Sequence, residues 1–235
     1  MVAPLSPAAM AVLKPPSDDD GARIYTGSVV PKGEHQPAFW YERRVAQGPD
    51  GMVSRHLSYR AGSDDVVLSQ RAVHSEHYAL RRFEEVHGQT GVVSAAQVLE
   101  DGSLELTTTR GDRTRRRTER PGAPVVVGPT LFGYVLHNWD ALIGGERLPV
   151  RFAAPEQARS YEFTLQVVEA TPHTTSIAFR ASSALVRMGV DTMTLVFDTR
   201  TRKILRYVGR VPPRLERLAV FDAQVDYTFV AADYR

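Results

Sequence analysis

Period-two alternation of apolar and polar side chains runs through most of the chain. Successive side chains of a strand point to opposite faces, so one apolar face shows as every second residue. Val53, Arg55, Leu57 and Tyr59 oppose Ser54, His56 and Ser58. Tyr161, Phe163, Leu165 and Val167 oppose Glu162, Thr164 and Gln166. Near the end, Phe221, Ala223, Val225, Tyr227 and Phe229 oppose Asp222, Gln224, Asp226 and Thr228. Less regular strands are predicted over 23–30, 38–46, 65–74, 78–86, 91–99, 103–109, 148–153, 174–181, 192–198 and 203–208. Gly48-Pro49-Asp50-Gly51 and Asp101-Gly102 are turn signals, and a polar loop over Asp198–Lys203 joins two further strands. Clean alternation leaves one face of each strand wet, which marks antiparallel rather than doubly covered parallel pairing.

One segment breaks this rhythm. Thr130–Ile143 has helical spacing, with Thr130 placed to cap its first amides and Gly144-Gly145 to end it in a left-handed conformation. At 3.6 residues per turn, Leu131, Phe132, Val135, Leu136, Trp139, Leu142 and Ile143 share an arc of roughly 140°, opposite Tyr134, His137, Asn138 and Asp140. Burying such a face is worth on the order of 10 kcal/mol gross, so the helix must dock on the sheet. The expected fold is therefore mainly β: a curved antiparallel sheet or partly open barrel wrapped around, or closed by, one amphipathic helix. Residues 1–21, interrupted by Pro4, Pro7, Pro15 and Pro16, read as a flexible arm with a short helical turn at Ala8–Leu13. Residues 22–235 read as a single β-rich domain, with Pro121-Gly122-Ala123-Pro124 a loop inside it.

Composition narrows the function classes. Of 235 residues, 43% are hydrophobic, enough for a sizeable core, and the net charge of +2 generates no field that steers the chain to nucleic acid. The absence of cysteine excludes disulfides, thiolate nucleophiles and zinc–thiolate sites, and leaves the compartment open. No apolar run reaches the roughly 18 residues of a membrane span. Met1–Leu13 has neither a basic leader nor a continuous apolar stretch. The sequence as given thus reads as a soluble cytoplasmic protein, or a periplasmic one if a signal peptide has been removed.

Three clusters are candidate sites. Tyr134, His137 and Asp140 are neighbours on one helix face, where a carboxylate-oriented His can act as general base and a Tyr as acid; such a face is also what any docked helix presents to water. His74 and His77 invite a metal, but an odd separation on a strand sends the rings to opposite faces unless a turn forms at Ser75-Glu76. Glu84, Glu85 and His87 follow without a ligand spacing, so no metal and no cofactor is expected. Arg110–Arg120 holds six arginines in eleven residues. With no aromatic interleaved for base stacking, it reads as a solvated hairpin or edge-strand guard rather than a nucleic-acid site. Its Arg110-Gly111-Asp112 adhesion tripeptide is a chance occurrence.

The run from Gly128 to Glu146, the following Arg147–Phe152 and the later Arg202–Arg210 with its Arg-Tyr-x-Gly strand resemble a group of uncharacterised bacterial β-rich proteins of unknown function. The resemblance spans roughly residues 24–230 and implies an exported protein, although this chain shows no evident signal. A sheet wrapped around a helix is also similar, at the level of fold, to bacterial lipoprotein carriers. The leading expectation is a noncatalytic binding protein holding a lipid or other hydrophobic small molecule between sheet and helix. One alternative is a metal-independent lyase, isomerase or cyclase using His137, Asp140 and Tyr134; another is a structural or assembly factor working through a sheet edge. The sequence assigns no oligomeric state.

Overall fold

The computed structural model describes residues 5–13, 21–183, 191–216 and 219–230. Strand accounts for 56% of these residues and helix for 12%, so the β reading holds by a wide margin. The N-terminal half forms β1 (Ala22–Pro31), β2 (Phe39–Gly48), β3 (Gly51–Arg60), β4 (Val66–His74), β5 (Leu80–His87), β6 (Val92–Val98), β7 (Leu104–Arg110) and β8 (Arg113–Glu119). The remainder forms β9 (Val125–Val126), β10 (Leu148–Ala154), β11 (Arg159–Ala170), β12 (Thr174–Ala181), β13 (Met193–Asp198), β14 (Ile204–Arg210) and β15 (Asp222–Phe229). Helix α1 is Pro7–Val12, α2 is Gly128–His137 and α3 is Trp139–Ile143.

All fifteen strands join one sheet in the order β8-β7-β6-β5-β4-β3-β2-β1-β15-β14-β13-β12-β11-β10-β9. Every pairing is antiparallel except β9 with β10, which the long excursion through α2 and α3 makes parallel. The order is a meander in which β1 and β15 meet at the centre, so the chain's two ends pair with each other. The sheet curls. Ala72, Phe83, Ala96 and Leu106 of β4–β7 share a buried cluster with Val125, Val127 and Ala153 from the opposite end. The edges do not join by a backbone ladder; side chains hold the seam. Glu119 of β8 accepts hydrogen bonds from the Ser160 amide (3.2 Å) and hydroxyl of β11, and lies 3.9 Å from Arg151 of β10.

The helical segment lies on the inner face of the curl. Leu131, Phe132, Val135, Trp139 and Leu142 are buried there with Tyr25, Phe197 and Val225. Phe132 meets Tyr227 edge-on at 5.5 Å and Trp139 meets Phe197 at 5.6 Å, which fills the space between helix and sheet with rings.

Three details differ from the expected single helix. The cap is Val127, and Thr130 serves from the third position, its Oγ1 accepting the Val127 amide at 3.1 Å. The helix divides at Asn138, whose side-chain amide bonds the Tyr134 carbonyl at 2.8 Å while its backbone leaves the helical region, at φ −103° and ψ 20°. Ile143, placed inside the apolar arc, is 45% exposed, at the end of α3 beyond the break at Asn138. Gly145 does end the segment with φ +92°. In the N-terminal arm, residues 1–4 and 14–20 lie outside the described residues; the rest forms α1, with Ser6 Oγ accepting the Ala9 amide at 3.3 Å.

Candidate functional site

The three helix residues do not converge. His137 is exposed and its ring lies 4.6 Å from that of His77, in the turn after β4. Asp140 is exposed and bonds Arg202 at 3.0 Å. Tyr134 is half-buried, and burial alone raises its hydroxyl above the ordinary pKa. The turn that the His74–His77 spacing left open does form: β4 ends at His74, which is 1% exposed, and His77 sits in the Ser75–Ala79 turn held by the Ser75 hydroxyl, where its ring meets His137. Among the described residues no three His, Asp or Glu side chains form a metal-binding group. The arginine segment is the exposed edge strand β8, where Arg116 faces Glu105 and Arg117 bonds Glu119 at 2.9 Å. No helix among the described residues is long and apolar enough to cross a membrane.

A polar row lies instead inside the curl, built by register. Residues paired across a sheet share one face. Arg43, His56, Gln70, Glu85 and Ser94 are successive partners from β2 to β6. The side of β3 that alternation makes polar therefore faces inward, with Ser54 and Ser58 buried. This reverses the simple expectation of an apolar side in and a polar side out. Arg43 Nη2 donates to Ser54 Oγ at 3.2 Å, and Ser54 Oγ lies 2.8 Å from His74 Nε2. His74 Nδ1 is 2.8 Å from the Ser75 carbonyl, which can only accept, so Nδ1 carries the proton and Ser54 donates to Nε2. Burial, with the Arg43 charge, depresses His74. The same two causes push His56 down to about 3, with Gln70 opposing. Gln70 donates to Glu85 at 2.7 Å and Ser94 to Glu85 at 3.2 Å, yet burial keeps the Glu85 carboxyl raised. Tyr41 Oη and His56 Nε2 are enclosed without a hydrogen-bond partner. Ser54 has the neighbours of an activated hydroxyl, but it is 0% exposed. The row works as an internal polar spine.

Accessible concavity lies on the outer face, where α1 crosses β3–β6. A groove of about 710 Å³ runs between them, within the usual range of small-molecule sites. Its apolar lining comes from Ala8, Ala9 and Val12 of α1, Ala46 of β2, Val53 of β3, Val86 of β5, and Val93 and Ala95 of β6. Arg55, Arg71 and Glu84, consecutive cross-strand partners, supply its charge. Helix α1 is anchored by Ala9, buried against the sheet, and by Arg55 Nη2, 3.5 Å from the Val12 carbonyl. Sequence reasoning missed this groove because five strands and a six-residue helix each contribute only two or three positions. The only local signal was that β3 carries apolar residues on the side opposite its inward polar set.

No known family model matches the chain, and no curated protein matches it. Among solved structures it is similar to a beta-barrel-like protein of the domain of unknown function DUF1849 from Brucella abortus, at 10% identity and a TM-score of 0.47, over 88% of this chain and 94% of that one.

Proposed function

We propose that this is a noncatalytic binding protein for a hydrophobic small molecule, and that the ligand lies in the outer-face groove under α1. The observation that carries this reading is an accessible 710 Å³ concavity with an apolar lining on a protein whose inner face is filled by its own aromatic side chains. The interior between helix and sheet, expected from the sequence to hold the ligand, is occupied by Phe132, Trp139, Phe197 and Tyr227. Binding on the outer face requires no opening of that core.

The enzyme reading through Tyr134, His137 and Asp140 draws less support, since the carboxylate that would orient His137 bonds Arg202 instead. The groove reading is tested with a neutral fluorescent apolar probe, N-phenyl-1-naphthylamine, on the full chain. Saturable fluorescence enhancement is expected, and Ala95→Trp, which places a bulky ring on the groove floor, is expected to abolish it. Enhancement that survives Ala95→Trp would reject the groove as the site.

A further inference from the structure

We infer that the outer edge of β8 pairs with an extended acidic segment of a partner protein, which adds one further strand to the sheet and carries its carboxylates at alternate positions. β8 ends the sheet, and β7 is the one element among those described that packs against it extensively. Every residue of β8 except Glu119 is exposed, so neither of its faces is covered. In an antiparallel pair alternate residues bond the neighbouring strand, and the amides and carbonyls of the others point outward. The two-residue turn Gly111-Asp112 makes Arg110 and Arg113 the bonded closing pair, and the 3.0 Å contact between the Thr109 and Thr114 hydroxyls marks the next, closer pair. Thr114, Arg116 and Thr118 therefore offer their backbone groups to an incoming strand. Among the described residues no backbone hydrogen bond from another element meets them.

Charge selects the partner. Arg113, Arg115 and Arg117 stand on one face of β8 and Arg116 on the other. Arg116 lies 3.7 Å from Glu105 and Arg117 bonds Glu119 at 2.9 Å, whereas Arg113 and Arg115 have no ion pair among the described residues. Residues opposite each other across a strand pair share a face, so carboxylates two apart on the added strand meet Arg113 and Arg115. Guanidinium groups match carboxylate oxygens with paired donors. A second copy of β8 would set arginines beside arginines, and a neutral strand would leave both free guanidinium groups unanswered. The charge that guards this edge against self-association therefore admits an acidic strand. A nucleic acid would find no aromatic ring on β8 for its bases to stack on.

The test is fluorescence polarisation with the full chain in about 0.15 M salt, where charges more than about 8 Å apart are screened. Two labelled peptides of the same composition and of the length of β8 are compared: Glu-Thr-Glu-Val-Glu-Thr-Glu and Thr-Val-Thr-Glu-Glu-Glu-Glu. The alternating peptide should bind about tenfold tighter, because only it sets its carboxylates along one face opposite alternate arginines. Arg115→Gln should weaken that binding by about threefold or more. Thr114→Pro, which removes an outward amide and keeps every arginine, should weaken it about tenfold. Equal binding of the two peptides, binding of neither, or undiminished binding by Thr114→Pro overturns the proposal. Displacement by a thymidine oligonucleotide of the same length, at the same concentration as by unlabelled alternating peptide, also overturns it and makes β8 a general anion surface. The peptide and oligonucleotide comparisons use the wild-type chain, so they decide even if Thr114→Pro folds poorly.

Discussion

Glu119 and Ser160, 41 residues apart in sequence, are hydrogen-bonded across the gap between the two edges of the sheet. The bond replaces the backbone ladder that would close a barrel. Sheet edges expose unpaired amides and carbonyls and invite association. Here β8 is guarded by arginines, while its last residue reaches past the short β9 to tie down β11. Glu119 is mostly buried and collects Arg117, Arg151 and both donors of Ser160, so it binds parts of the fold that no backbone bond connects.

Removing that carboxylate should loosen the seam. Glu119→Ala strands the Ser160 amide, while Arg151 keeps its 2.7 Å bond to Glu162, so the expected cost is about 1–3 kcal/mol. Arg115→Ala, on the same strand but exposed, should change stability by no more than about 0.5 kcal/mol. Urea denaturation of both variants checks this. Equal small losses would mean that the seam is held by the apolar cluster alone.

Trp139 and His137 give the cleanest contrast within the helical segment. Trp139 is 4% exposed against Phe197, with the Arg202 guanidinium 5.7 Å from its ring. Trp139→Ala should cost about 3–5 kcal/mol. His137 is exposed and its ring meets the exposed ring of His77, so His137→Ala should cost no more than about 0.5 kcal/mol. Thermal melts of the two variants separate them; a large loss from His137→Ala would mean that the helix is docked differently.

Most strands were legible because a period of two survives in each of them separately, and the amphipathic segment because a period of 3.6 does. The arginine edge, where every position is polar, was legible only by its charge, and the two-residue β9 carries no period at all. What could not be read was anything assembled between strands. Arg43, His56, Gln70, Glu85 and Ser94 each look like an outward polar residue in their own strand; only register lines them up inside. Alternation tells two faces apart without saying which is inner. In β3, Leu57 and Ser58 point to opposite faces and are both buried, so alternation there does not separate inside from outside. The break at Asn138 was hidden because a helical wheel counts side chains and ignores the competing amide of one asparagine.

The inner row makes stability depend on pH. His56 titrates at about 3 in the folded protein, against about 6.5 when exposed in the unfolded chain. Between these values the unfolded chain binds the extra proton, so stability falls as pH drops through that window, by up to about 1.4 kcal/mol per unit for this group. His74 and His87, also depressed by burial, act in the same direction. Glu85 opposes them: its raised carboxyl penalises folding above the unfolded value near 4.5, and the penalty fades as pH falls through its folded value. His56→Gln keeps a polar ring-sized group without a proton site. It should flatten the decline in urea midpoint between pH 6.5 and 5; an unchanged decline would assign the acid sensitivity to the other histidines.

Gly133 and Tyr78 yield a prediction that opposes helix propensity. Gly133 lies inside α2, where Ala is ordinarily worth about 1 kcal/mol more than Gly. A Cβ at Gly133, however, would come 1.8 Å from the Tyr78 ring, which also stacks at 4.8 Å on His74. Tyr78 holds φ +60° in the turn after β4, a conformation that bulky residues adopt only under constraint. The ring therefore has packing on both sides and a backbone already committed. Gly133→Ala should destabilise the protein by about 1–3 kcal/mol, as overpacking does, in spite of the propensity gain. Adding Tyr78→Ala should remove the clash, so Gly133→Ala made in that background should be neutral or stabilising. A double-mutant cycle by chemical denaturation measures the coupling. Additive losses would mean that the turn carrying Tyr78 moves away from α2 at little cost, and that the ring does not fix the helix to β4.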